Sequence, residues 1–166
     1  ASESQIERMI MGGDDTIVSA SPVGDFYSTI TGNDRIQLGT GNDTVFAGEG
    51  RDTFVINTGF ANAQIDNNGS GLLGKTLQVK SAFGTDTLYD VEILEFTNGR
   101  YGVQLGDGSA LNGANDTING DSIGTVTRDI IFGEAGDDRI LGKSDNDRLY
   151  GNEGRDALFG GTGVDL

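Results

Sequence analysis

Aspartate returns every nine residues along two stretches of this chain. Asp129, Asp138, Asp147, Asp156 and Asp165 are evenly spaced, and Asp25, Asp34, Asp43 and Asp52 repeat the interval independently. The later units read GEAGDDRIL (133–141), GKSDNDRLY (142–150), GNEGRDALF (151–159) and GGTGVDL (160–166); the earlier ones read TITGNDRIQ (29–37), LGTGNDTVF (38–46) and AGEGRDTFV (47–55). A looser copy, LNGANDTIN (111–119) around Asp116, is separated by four residues from GTVTRDIIF (124–132), and Asp15 stands one residue out of phase before Asp25. So short a fixed period confines the chain to stacked architectures, in which each unit buries its apolar side only against its neighbours.

Nine residues suffice for a six-residue turn and a three-residue strand. Glycine lets the turn adopt positive φ and lets backbones approach closely. Strand alternation then turns position eight inward and positions seven and nine outward. The inward set is Ile17, Tyr27, Ile36, Val45 and Phe54 in the first stretch and Ile118, Ile131, Ile140, Leu149 and Leu158 in the second, apolar or aromatic throughout. Two units make one coil of 18 residues, so aspartates 18 apart stack at about 4.8 Å, the inter-strand spacing. At that separation two carboxylates repel by about 3 kcal/mol at an effective dielectric near 20. Composition sharpens the problem: 35% hydrophobic residues and a net charge of −15 are what a disordered chain carries. A hard divalent cation between stacked turns reverses the sign of the repulsion, and Ca²⁺ accepts six to eight carboxylate and carbonyl oxygens in flexible geometry. A single aspartate at such a position is most simply a solvated turn residue; an in-phase series in two blocks is not. The chain has no cysteine and no histidine, which removes disulfides, the commonest transition-metal ligands and the usual general base.

These units match the glycine-rich nonapeptide G-G-x-G-x-D-x-U-x, where U is a large apolar residue, and residues 12–55 and 111–166 resemble the RTX, or haemolysin-type, calcium-binding family. The resemblance implies an all-β, right-handed parallel β-roll (β-helix) in two blocks with a non-repeat β segment between them. It also implies the ligand shell: positions two, four and six of one turn face positions one, three and six of the turn 18 residues later, with a side chain from position six only. Carried onto this chain, Glu134, Gly136 and Asp138 face Gly151, Glu153 and Asp156; Thr125, Thr127 and Asp129 face Gly142, Ser144 and Asp147; Ile30, Gly32 and Asp34 face Ala47, Glu49 and Asp52. The same assignment adds Lys143 and Asp145 with Gly160 and Thr162 between Asp147 and Asp165, and Gly133 and Ala135 beside Asp138. Asp25/Asp43 is a further pair, and insertions allow Asp15/Asp34 and Asp116/Asp138, which makes about five to seven calcium ions. Position four departs from glycine at Val23, Ala114, Thr127 and Asp145.

The domain reading follows: 1–11 a cap or linker, 12–55 the first block, 56–110 a non-repeat connecting or capping segment, 111–166 the second block. In the middle segment TLQVK (76–80), VEILEF (91–96) and YGVQL (101–105) alternate like strands. The run 84–101 resembles a segment that recurs beside RTX blocks and is expected to cover a coil end. Ile6, Met9 and Ile10 have helical spacing, with Ser4 as a cap. Two outward apolar ladders, Phe132/Tyr150 and Leu141/Phe159, are either ordinary exposed residues or a docking surface for a neighbouring domain of the same polypeptide or a second chain.

The acidic balance argues against nucleic acid, and no apolar run is long enough for a membrane span. Without histidine, cysteine or a nucleophile-elbow serine, catalysis within these residues is not expected. Two functions stand. One is a calcium-triggered folding module of a larger protein, which the resemblance places outside a Gram-negative bacterium or at its surface, after export through a one-step type I channel. The other is a glycan-binding or adhesive appendage, with Arg35, Arg139 and Arg148 facing an acidic polysaccharide.

Overall fold

The computed structural model describes residues 8–9, 12–67, 76–105, 115–121 and 126–166. Each nonapeptide contributes one short strand, and alternate strands enter alternate sheets. In the first part of the chain the strands are β1 (Arg8–Met9), β2 (Thr16–Val18), β3 (Phe26–Ser28), β4 (Arg35–Gln37), β5 (Thr44–Phe46) and β6 (Thr53–Ile56). A 3₁₀ turn (Phe60–Asn62) follows, then β7 (Gln64–Asp66), β8 (Thr76–Ser81), β9 (Gly84–Tyr89) and β10 (Ile93–Phe96). The rest are β11 (Gly99–Leu105), β12 (Thr117–Asn119), β13 (Asp129–Phe132), β14 (Arg139–Ser144), β15 (Arg148–Tyr150) and β16 (Ala157–Thr162). The described residues contain no α-helix. Met9, expected in a helix, is paired in a strand with Ser28, because the edge of β3 offers it parallel ladder bonds; Ser4, Ile6 and Ile10 lie outside the described residues.

The chain divides into two compact units, Ala1–Gly99 and Arg100–Leu166. In the first unit, β2, β4, β6 and β10 form one parallel ladder, with Ile17 opposite Ile36, Ile36 opposite Phe54 and Phe54 opposite Leu94. The other ladder runs β1, β3, β5, β9, with Tyr27 opposite Val45 and Val45 opposite Leu88, and continues antiparallel through β8 to β7. In the second unit β11, β13 and β15 form one parallel ladder and β12, β14 and β16 the other, with Ile131 opposite Leu149 and Ile118, Ile140 and Leu158 in a row. This is a parallel β-roll. Its 18-residue coil follows from the pairing of 27 with 45, 36 with 54, 131 with 149 and 140 with 158.

The core is the position-eight column. Ile17, Tyr27, Ile36, Val45, Phe54, Ile131 and Ile140 are buried. Three members of the expected set are not: Ile118 and Leu149 are half-buried and Leu158 is 45% exposed. All three sit on strands that end a ladder among the described residues, although Ile17 on β2, which also ends one, is buried. The outward expectation for position nine fails at Phe132, which is only 2% exposed. All four residues of β13 are buried, since the strand lies between two others and Phe132 stacks on Tyr150 with ring centroids 4.8 Å apart. Leu141 is half-buried, while Phe159 is exposed beneath the Arg139 guanidinium, 4.4 Å from its ring centroid.

Candidate metal centre

The turns stack as closely as the strands. The position-six aspartates stand at the strand starts, and for seven of them the backbone N–H donates to Oδ1 of the repeat aspartate one coil later. The bond is 2.8 Å from Asp15 to Asp34, Asp25 to Asp43, Asp34 to Asp52 and Asp116 to Asp138. It is 2.9 Å from Asp129 to Asp147, 3.0 Å from Asp138 to Asp156 and 3.1 Å from Asp147 to Asp165. In return the carbonyl of the earlier aspartate accepts from the next residue of the later coil, as Asp34 O does from Thr53 N–H at 2.7 Å and Asp138 O from Ala157 N–H at 2.7 Å. Every aspartate of the sequence reading is therefore in one of these ladders, including Asp25, whose turn has Val23 at position four. Its Oδ2 also accepts from the Tyr27 hydroxyl.

One carboxylate oxygen is thus spoken for, and the other is left over. Asp34, Asp43, Asp52, Asp129, Asp138 and Asp147 are at most 3% exposed. Oδ2 of Asp15, Asp34, Asp52, Asp138 and Asp147 is buried with no hydrogen-bond partner. Burying charged oxygen without compensation is costly, and native folds rarely do so without a ligand, water or ion to explain it. Titration behaviour reflects the cost. Burial pushes Asp52 up to about 7, only partly offset by the Asp34 N–H and reinforced by the Glu92 and Asp34 charges. Burial likewise lifts Asp147 to about 6, and Asp43 and Asp138 above the usual carboxylate range.

Carbonyls gather beside these oxygens. Gly32 N–H donates to Glu49 O and Glu49 N–H to Ile30 O; Gly136, Glu153 and Glu134 repeat the arrangement, with Thr31 bridging Glu49 and Ala135 bridging Glu153. Position one explains the need for glycine. A Cβ on Gly133 would lie 2.5 Å from Asp138 Oδ2 and 2.8 Å from Gly151 O, so the idle oxygen and the next coil's carbonyl face the same spot. Gly142 stands in the same relation to Asp147 Oδ2 and Gly160 O, and Gly151 lies against Asp156 Oδ2. In the first unit position one is Ala47, fully buried, whose carbonyl accepts from the Thr29 hydroxyl. Position two is left-handed: φ is 78° at Glu134 and 77° at Lys143. Asp145 tolerates φ 75° at position four, where its carboxylate accepts from the exposed Thr127 hydroxyl at 3.2 Å and lies 3.6 Å from Arg128 Nε. Ser144 pairs with Thr162 across β14 and β16. Thr125 and Ala114 lie outside the described residues.

The repeat reading missed three groups. Gly120 has position-one geometry: its N–H donates to Leu141 O as Gly133 N–H does to Tyr150 O, and a Cβ there would meet Asp129 Oδ2. Asp121 then follows in the left-handed position two, donates its N–H to Asp129 Oδ2 at 2.6 Å and keeps a buried, unpartnered Oδ1. In the sequence the four extra positions thus come after Asp121, and the Gly-Asp pair was the signal. Secondly, position five carries its own ladder. Asp14, Asn33, Asn42, Asn115, Asp137 and Asn146 each accept from the position-five N–H of the next coil; the recurring Asn or Asp before the key aspartate announced it. Finally, the first-unit ladders run past Asp43 and Asp52 into Asp86 and Glu92.

Among the described residues no three acidic side chains already converge on one point. The donors on offer are two carboxylates with surrounding carbonyls, all oxygen. That set suits Ca²⁺ and not a thiolate- or imidazole-seeking metal.

Comparison with known proteins bears on the same residues. The family model of the RTX calcium-binding nonapeptide repeat matches residues 29–59, 123–149 and 132–166. No curated protein matches the chain. Among solved structures it is similar to the extracellular lipase LipA from Serratia marcescens at 18% identity and a TM-score of 0.47, over 95% of this chain and 29% of that one. The chain thus spans under a third of that protein's length.

Proposed function

From the premise that this chain belongs to the RTX calcium-binding nonapeptide repeat family, we propose that it is a calcium-triggered folding module of a larger secreted protein. The observation that carries the reading is the stacked aspartate ladder in which Asp15, Asp34, Asp52, Asp138 and Asp147 each keep a buried Oδ2 without a hydrogen-bond partner. Calcium bound between turns 18 residues apart gives those oxygens a partner and turns a repulsive stack into an attractive one. The ligands are those assigned from the repeat: the paired aspartates with carbonyls of positions one to four, over about five to seven ions. Extracellular-type sites have dissociation constants on the order of 10⁻⁴–10⁻³ M. At a calcium concentration tenfold above the dissociation constant, each site contributes about 1.4 kcal/mol, so five give about 7 kcal/mol, comparable with the whole stability of an ordinary domain. In a low-calcium cytosol the chain stays unfolded, fit for passage through a secretion channel, and it folds outside.

The glycan-binding alternative is not favoured by the geometry. Arg35 is engaged with Glu95 through two bonds of 2.8 Å, and Arg139 lies over Phe159. Among the described residues no helix is long and apolar enough to cross a membrane.

Far-UV circular dichroism tests the folding claim. The chain should be largely disordered in EGTA and β-rich in millimolar Ca²⁺. Mg²⁺ should substitute poorly, because it demands near-octahedral geometry and sheds water reluctantly. A chain equally folded in EGTA would sink the coupling.

A further inference from the structure

Residues 81–89, SAFGTDTLY, lie where the nine-residue period is broken, yet they fold as one more unit of the roll. Gly84 stands at position four with φ 146°, a conformation L side chains rarely adopt, and a Cβ there would overlap Gly41 O just as one on Gly50 would overlap Gly32 O. Gly41 N–H donates to Phe83 O at 2.8 Å, the bond that Gly32 makes to Glu49. Thr85 N–H donates to Asn42 Oδ1, as Arg51 N–H does to Asn33 Oδ1. Asp86 follows at position six, accepting from Asp43 N–H at 3.1 Å, while Thr87 N–H returns to Asp43 O at 2.8 Å. Leu88, 1% exposed, is opposite Val45 at position eight.

The opposite edge is closed in the same way. Glu92 Oε2 accepts from Asp52 N–H at 2.9 Å, Ile93 N–H donates to Asp52 O at 2.9 Å, and the fully buried Leu94 is opposite Phe54. Tyr89 to Glu92 is too short for a six-residue turn, and the extra methylene of glutamate still brings its carboxylate onto the Asp52 amide. Asp52 is fully buried, and its Oδ2 has no hydrogen-bond partner on the edge that Glu92 continues.

We propose that residues 81–94 are an additional coil of the roll, and that Asp86 and Glu92 complete two calcium sites with Asp43 and Asp52 that no regular repeat encodes. The proposal rests on the calcium reading of the aspartate ladders. Its chemistry is all oxygen, which a hard cation prefers: carboxylates with carbonyls of both turns at Asp43/Asp86, and the two carboxylates with carbonyls of the Asp52 turn at Asp52/Glu92. Its consequence is that the first unit holds three ions along Asp15, Asp34, Asp52 and Glu92, one between each successive pair, and two along Asp25, Asp43 and Asp86.

Native mass spectrometry of the calcium-saturated chain counts the ions. Asp86→Asn and Glu92→Gln should each hold one fewer than the unaltered protein. Carboxylate footprinting with a carbodiimide gives a second readout on the unaltered, calcium-saturated chain, independent of whether either variant folds. Asp86 and Glu92 should resist labelling as Asp34 and Asp138 do. Labelling as fast as at the exposed Asp137, with unchanged ion counts in both variants, would overturn these two sites and leave those of the repeats standing. An unaltered chain that holds no calcium at all would overturn both readings.

Discussion

Asp147 shows what sharing does to a single side chain. Its Oδ1 accepts from Asp129, its own N–H donates to Asp165, and its Oδ2 is idle in a site 1% exposed. Asp156 accepts from Asp138 and is only half-buried. On the proposed calcium assignment, Asp147→Asn removes charge from two ion shells and Asp156→Asn from one. With roughly 1.4 kcal/mol per site, the calcium midpoint of folding should move about twice as far, in free energy, for Asp147→Asn, and its cooperativity should fall. Equal midpoints in a calcium titration would mean the shells are not shared. Protons act on the same groups. Asp52 titrates at about 7 and Asp86 and Asp147 at about 6 in the fold, against 3.8 for an unburied aspartate. The metal-free fold thus binds more protons than the unfolded chain. Its stability from these groups is full below about pH 4 and is lost as pH rises through 6 to 7. In EGTA, lowering the pH from 8 to 5 should increase β-structure by circular dichroism, whereas with calcium the same change should raise the calcium needed. Position six was legible because its period is strict. Asp121 was not, because four extra residues follow it in the sequence and displace the repeat by that amount; the recurring Asn or Asp at position five was visible, but not the bonds it makes.

The strands carry the second lesson. A three-residue strand has little hydrogen bonding of its own and persists through neighbours on both sides. Ile140, fully buried between Ile118 and Leu158, has both; Leu158 has one and is 45% exposed. Ile140→Ala should cost about 2–5 kcal/mol and Leu158→Ala below about 1 kcal/mol, read as urea midpoints at saturating calcium. The inward column was predictable from alternation, but its fraying at Ile118, Leu149 and Leu158 depends on where each ladder stops, which spacing does not reveal. Alternation also marked β8, β10 and β11. It did not mark 81–89 as a repeat, because only Gly84, Asp86 and Leu88 survive from the motif and the pairing jumps 43 residues, from Asp43 to Asp86, across an antiparallel hairpin. At Met9 the helical spacing gave way to strand pairing for the opposite reason: Arg8 and Met9, beside a parallel edge, gain ladder bonds that an isolated turn of helix lacks.

The charge of −15 on a chain with 35% hydrophobic residues sets the terms for the protein as a whole. Five divalent ions on the proposed sites would bring ten positive charges and offset most of that excess along the lines where it is concentrated. Stack, charge and cation are then one system: the coil brings carboxylates together, and the ion makes their proximity favourable. Everything in this account depends on where the ions sit. Anomalous diffraction from calcium-loaded crystals locates them directly. Ions are expected between Asp34 and Asp52, Asp129 and Asp147, and Asp138 and Asp156, each pair one coil apart. Ions bridging aspartates nine residues apart, or ladders with no anomalous density between them, would contradict the account.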